Sequence, residues 1–186
     1  MKIRLAANLQ PDSIVDGEGI RTVIWTQGCA HHCFGCHNPE THDFKGGAEI
    51  DLEEIFADID ELEGQDGITF SGGDPFYQPK ECFEIAEYAK KKKLNIWAYT
   101  GYTFEELIDL SKEKKDIMSF LKEIDVLVDG RFILAKKSYN CIFRGSTNQR
   151  IIDVKESLKQ KKVILVEKYI PKVSQSNRVR ESGVYI

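Results

Sequence analysis

The 186-residue sequence contains no apolar run long enough to cross a bilayer, which excludes an α-helical membrane span. It has no basic excess: 26 Lys and Arg against 30 Asp and Glu leave a net charge of −4, whereas a general nucleic-acid binder needs a cationic field to neutralise phosphates. The start, Met1-Lys2-Ile3-Arg4-Leu5, lacks the apolar core of a secretory signal. Cysteine is scarce, five in all, an odd number with three of them clustered, so a disulfide framework is not indicated and a reducing cytoplasm fits best. There is no internal repeat, low-complexity segment or inter-domain linker. With 41% hydrophobic residues the chain reads as one domain, large enough to bury a core without staples, so any metal it holds is expected to serve chemistry rather than bulk stability.

What the chain does have is a short loop with Cys29, Cys33 and Cys36 in a C-x3-C-x2-C spacing. Three thiolates so placed can hold three corners of a 4Fe-4S cube and leave the fourth iron open to a substrate, where four thiolates would allow only electron transfer. A second reading uses the same atoms: with one of His31, His32 or His37 the three cysteines could make a closed Cys3His zinc site. Structural zinc usually staples small domains with little core, so the surroundings favour the cluster. Cys82, on the apolar face of a predicted helix, reads as core, and Cys141 has no cysteine neighbour and no assigned role.

The surroundings are a βα succession. Thr22 to Trp25 predicts a buried strand that runs directly into the cysteine loop. From Asp51, apolar residues at Leu52, Ile55, Phe56, Ile59 and Leu62 form a helical stripe, with Asp51 and Glu54 as a capping box. Gly67 to Ser71 predicts a strand, Pro79 to Lys93 a helix, and Asn95 to Tyr99 a third strand. A capping box at Thr103 and Glu106 opens a helix whose stripe continues through Ile117, Phe120, Leu121 and Ile124. Asp125 to Asp129 and Val163 to Tyr169 complete the strands. Strands alternating with amphipathic helices specify an α/β fold with a parallel sheet and function at the carboxyl strand ends. The chain is short for a full barrel of about 250 residues, so a partial, open βα barrel is expected.

Three further motifs point the same way. Val15-Asp16-Gly17-Glu18-Gly19-Ile20-Arg21-Thr22, the cysteine loop and His37-Asn38-Pro39-Glu40-Thr41, taken with Ser71-Gly72-Gly73-Asp74-Pro75, resemble the radical S-adenosylmethionine enzymes. Within them the chain resembles the glycyl-radical activating enzymes, and most of all those that serve anaerobic ribonucleoside-triphosphate reductase. The likeness spans Ile14 to Tyr169, which implies a radical S-adenosylmethionine domain over 14–169 and a C-terminal extension over 170–186.

That resemblance implies a 4Fe-4S cluster on Cys29, Cys33 and Cys36, with S-adenosylmethionine as second cofactor. Cofactor contacts are implied for Gly35, Cys36 and His37, whose backbone would meet adenine, since Gly35 stands where relatives carry an aromatic. Gly72, Gly73 and Asp74 would receive the methionine ammonium, Thr100 and Gly101 the ribose or carboxylate, and Asp129 and Arg131 the carboxylate. Ser146 and Asn148 would add polar contacts. The product would be a glycyl radical on the reductase, with a flavodoxin or ferredoxin as electron donor, no nucleic acid and no membrane. Other radical enzymes, a pyruvate formate-lyase-type activase or a 7-carboxy-7-deazaguanine synthase, share parts of the pattern, and a zinc-stabilised binding module is the non-enzymatic alternative. The run Lys90 to Lys93 reads as a solvated helix end or a docking patch for an acidic donor, and His42 as a loop residue.

Overall fold

The protein's structure, a computed structural model, describes residues 1–170, so the extension expected over 170–186 lies outside the described residues apart from Ile170. In chain order the elements are strands β1 (Lys2–Leu5), β2 (Gln10–Ser13), β3 (Arg21–Thr26) and β4 (Ala48–Asp51), helix α1 (Leu52–Asp60), then β5 (Gly67–Gly72) and α2 (Pro79–Lys91). They continue with β6 (Asn95–Tyr99), α3 (Phe104–Leu110), α4 (Lys115–Glu123), β7 (Val126–Asp129), β8 (Arg150–Asp153) and α5 (Val154–Gln160). One sheet joins all the strands in the order β4-β1-β3-β5-β6-β7-β8, with β2 also on β3.

The middle of the sheet is parallel, as the βα succession requires: β3 on β5, β5 on β6, β6 on β7. Its flanks are antiparallel, β1 and β4 on one side and β8 on the other, and the end strands do not meet. The fold is therefore α/β with an open sheet.

Strand alternation sorts the core into two layers. In β6, Ile96 and Ala98 join the large cluster under the helices, together with Phe70, Ile85, Leu107, Phe120 and Leu127. The intervening Trp97 faces the other side, where it packs with Val128 and Ile151 against Tyr99, Phe143 and Tyr169. Cys82 is fully buried in the first layer, the core position its helix stripe predicts.

Several expectations are corrected. The Asp51–Glu54 capping box is not made: Asp51 has no side-chain cap bond, because it ends β4 paired with Lys2, and its side chain meets the Lys2 ammonium at 3.7 Å. The helix expected to Lys93 ends at Lys91, and Lys93 takes a left-handed φ of 65° to turn into β6. The continuous stripe from Thr103 is two helices, broken over 111–114. Val163 to Tyr169 is no strand. It makes one bridge, Leu165 to Ile152, and then a 3-10 turn over Glu167–Tyr169 that Lys168 and Tyr169 tie to the Glu18 carboxylate.

Candidate active site at the carboxyl edge of the sheet

β3 delivers the cysteine loop. Beyond Thr26 the chain turns at Gly28, whose φ of +101° favours glycine and whose missing side chain leaves room for the Phe44 ring. The loop is pinned by Gly28 N–H to Thr41 C=O at 2.8 Å and Cys29 N–H to His42 C=O at 3.2 Å. All three cysteines are free and half-buried. The Cys36 sulfur accepts from the Asn38 backbone amide at 3.4 Å. Burial pushes the Cys29 thiol up to about 11, with Asp74 and the neighbouring thiols adding to it, and burial raises Cys33 as well. Metal ligation at these positions must therefore expel protons.

The thiols open on a cavity of about 860 Å3. Among the described residues no three His, Cys, Asp or Glu side chains converge closely enough to hold a single metal ion. Three soft thiols spread around a roomy cavity are a donor set that fits a 4Fe-4S centre.

The ends of β5 and β6 form one wall. Gly72 and Gly73 lie so close to β3 that an added side chain would meet the Thr26 and Gly28 carbonyl oxygens at 2.7 and 2.5 Å, which is why this turn needs its paired glycines. Gly73 N–H donates to Thr26 C=O and Asp74 N–H to Gly28 C=O, at 2.7 and 3.0 Å. The Asp74 carboxylate is buried and accepts from His31 Nε2 (2.9 Å), Thr100 Oγ1 (2.8 Å), Gly101 N–H (2.9 Å) and Phe76 N–H (3.0 Å). The His31 ring is clasped besides by the Gly101 backbone and an edge contact to Tyr102, centroids 4.5 Å apart.

Residues 130–149, between β7 and β8, form the opposite wall. Gln149 organises it, accepting from the Gly145 and Ser146 amides at 2.8 and 3.1 Å and donating to Gly130 C=O at 3.0 Å. Phe132 and His37 pack together, centroids 4.8 Å apart, against Gly145.

Of the residues singled out from sequence, Cys29, Cys33, Cys36, His37, Gly72, Gly73, Asp74, Thr100 and Gly101 line the cavity. Gly35, Asp129, Arg131, Ser146 and Asn148 do not. Gly35 backs onto Leu134. Asp129 is turned inward and buried, accepting from Phe104 N–H (2.8 Å) and from Arg150 Nε and an Arg150 terminal nitrogen (2.9 and 2.5 Å), and Arg150 also reaches Glu105. Arg131 is exposed, Ser146 is buried under the Ile133 amide, and Asn148 donates to Arg131 C=O. Lining residues that the sequence reading passed over are Asp16, Lys137, Cys141, Arg144 and Gln149. Asp16 sits inside the motif Val15 to Thr22, and Arg144 and Gln149 flank Ser146 and Asn148 in the chain.

The family model described as a 4Fe-4S single cluster domain matches residues 15–152. The chain is similar to proteins named anaerobic ribonucleoside-triphosphate reductase-activating protein. The one from Haemophilus influenzae is 32% identical over 150 residues, 76% of this chain and 92% of the relative. That of Pasteurella multocida is 34% identical over 152 residues, with the same coverage, and that of Escherichia coli K12 is 32% identical over 148 residues, 75% of this chain and 92% of the relative. With its three thiols at the mouth of a β3 loop and its glycine-paired turn after β5, the chain belongs to the family of anaerobic ribonucleoside-triphosphate reductase-activating proteins, within the 4Fe-4S single cluster domains.

Proposed function

We propose that this protein is a radical S-adenosylmethionine enzyme: a 4Fe-4S cluster on Cys29, Cys33 and Cys36 would reductively cleave S-adenosylmethionine, and the 5'-deoxyadenosyl radical would form a glycyl radical on anaerobic ribonucleoside-triphosphate reductase. The observation that carries this reading is the set of three half-buried thiols that line one cavity of about 860 Å3. Such a cavity holds a nucleoside-sized ligand and shields it from water. The open sheet serves as the partial βα barrel, and its unclosed side admits a loop of a partner protein. Glycine suits as the target because its Cα, lacking a side chain, enters a narrow site. An acidic carrier, a flavodoxin or ferredoxin, supplies the electron, and the reducing cytoplasm is the fitting compartment.

The residues of this chain have distinct parts. Gly72, Gly73 and Gly101 let the backbone approach the ligand, and the backbone of Cys36 and His37 borders the adenine side. Asp74 already meets four donors, as many as a carboxylate's roughly four lone-pair sites take, so a ligand ammonium reaches it only by displacing one. Ser146 and Asn148 brace the 130–149 wall through the Ile133 amide and the Arg131 carbonyl, and Asp129 anchors Arg150.

A second reading rests on Cys141, which lines the same cavity. As a fourth thiolate it would saturate the cluster and leave an electron carrier. The test is anaerobic reconstitution with iron and sulfide, reduction, and an assay for 5'-deoxyadenosine. The wild type and Cys141→Ser should form it, and Cys33→Ala should not, while keeping its fold. No product from the wild type, with product or a changed cluster spectrum appearing only in Cys141→Ser, would favour the carrier.

A further inference from the structure

Neither the cysteine loop, residues 28–39, nor the wall, residues 130–149, contains an aspartate or a glutamate, although the chain as a whole is acidic with a net charge of −4. The wall carries Arg131, Lys136, Lys137 and Arg144. Among the described residues, Arg131, Lys136 and Lys137 are exposed and none of them pairs with a carboxylate. Between and beside them stand exposed apolar side chains: Phe34 at 85% and Tyr139 at 93%, with Ile133 and Leu134 partly covered. This face is also next to the thiols. Phe34 lies between Cys33 and Cys36 in the chain, Leu134 packs against Gly35, and Lys137 and Tyr139 line the same cavity as the three thiols.

The lysine run at the end of α2 is neutralised at three of its four positions, Lys93 alone making no ion pair among the described residues. Lys90 meets Asp125, Lys91 meets Glu87 at 2.9 Å, and Lys92 meets Asp60 at 2.5 Å. It also lies at the wrong edge: α2 leaves the carboxyl end of β5 and returns to the amino end of β6, and a six-residue strand spans about 20 Å. Electron transfer falls steeply with distance, so a donor bound there would be badly placed.

We propose that the face formed by Arg131, Lys136 and Lys137 around Phe34, Ile133, Leu134 and Tyr139 is the docking surface for an acidic flavin-bearing electron carrier of the flavodoxin kind. Electrostatic complementarity steers such weak encounters, and an apolar centre with a charged rim is the usual form of a small interface. A flavin edge is an apolar aromatic ring, which matches Phe34 and Tyr139, and a surrounding ring of carboxylates matches the three cations. In a chain of net negative charge an acidic partner needs such a local field to approach at all. The step is a bare electron transfer: the reduced flavin is oxidised by one electron, the three-cysteine centre is reduced by one, and no bond forms and no proton moves.

The inference rests on the reading that Cys29, Cys33 and Cys36 hold a redox cluster, and its test separates the two. The reconstituted protein is mixed with reduced flavodoxin and cluster reduction is followed by absorbance, with dithionite as a small chemical reductant for comparison. The double substitution Arg131→Glu, Lys136→Glu should slow reduction by flavodoxin tenfold or more at low ionic strength and flatten its salt dependence, with the extent of reduction by dithionite unchanged. Lys91→Glu with Lys93→Glu should stay within twofold of wild type. Equal rates for the Arg131, Lys136 variant, or a larger effect at Lys91 and Lys93, overturns the docking surface. Charge-dependent reduction by a ferredoxin with none by flavodoxin overturns the occupant. Failure of dithionite to reduce any cluster overturns the cluster reading, and this proposal with it.

Discussion

The two walls of the cavity treat their polar groups in opposite ways. At the ends of β5 and β6 one buried carboxylate, Asp74, gathers and matches His31, Thr100 and the amides of Phe76 and Gly101. Across the cavity, residues 130–149 leave buried polar atoms without partners, Arg144 Nε and Asn148 Oδ1 among the described residues, and hold cations that no carboxylate neutralises. Native structures satisfy nearly all buried polar atoms, and the exceptions call for an explanation. The matched wall fixes the cysteine loop to the sheet, and the unmatched one keeps its donors for something that arrives.

The strongest way to break that contrast is Asp74→Ala, which strands a histidine, a hydroxyl and two amides in a buried place. Removing the shared partner of buried groups costs about 3–5 kcal/mol, so the urea midpoint of the apo protein should fall far, with Asp74→Asn intermediate. An unchanged midpoint would mean that the donors relax to water and that the wall is not what holds the loop. His31→Ala is smaller, about 1–2 kcal/mol, for one hydrogen bond and a buried ring in edge contact with Tyr102. It sharpens the comparison in a second way. If a ligand ammonium displaces His31 from Asp74, this variant should show a KM for S-adenosylmethionine severalfold below wild type despite the lower stability; an unchanged KM makes Asp74 purely structural.

The matched wall was also the legible one. β6 was expected over Asn95 to Tyr99 and is found there, the Thr103–Glu106 capping box is present, and the glycines after β5 do bring two strand ends together. These features depend on local periodicity and on neighbours a few residues apart. The Asp51–Glu54 pair has the same local signature and fails, because the partner that captures Asp51 is Lys2, half a hundred residues upstream on an antiparallel flank. The other wall depends on contacts that no local signal carries. Standing at a strand end does not say which way a side chain points: Asp129 faces Arg150, brought back by β8, and not the cavity. Ser146 and Asn148 were chosen for their chemistry, while the loop uses Gln149 to tie its backbone and turns Arg144 to the open space.

Arg144 gives the finest measure of the difference between the walls. Its side chain lines the cavity, makes one hydrogen bond, from a terminal nitrogen to Gln149 C=O at 3.0 Å, and leaves Nε buried without a partner. In Arg144→Leu the lost bond costs about 1 kcal/mol, and removal of an unsatisfied buried donor returns about as much. Leucine also keeps part of the apolar packing of the arginine stem. The two terms nearly cancel, so the denaturation midpoint should shift by less than about 0.5 kcal/mol. A partly buried arginine whose removal costs nothing in stability is held for a ligand or partner. A loss of 2 kcal/mol or more would show instead that this wall, like the one built on Asp74, is satisfied from within.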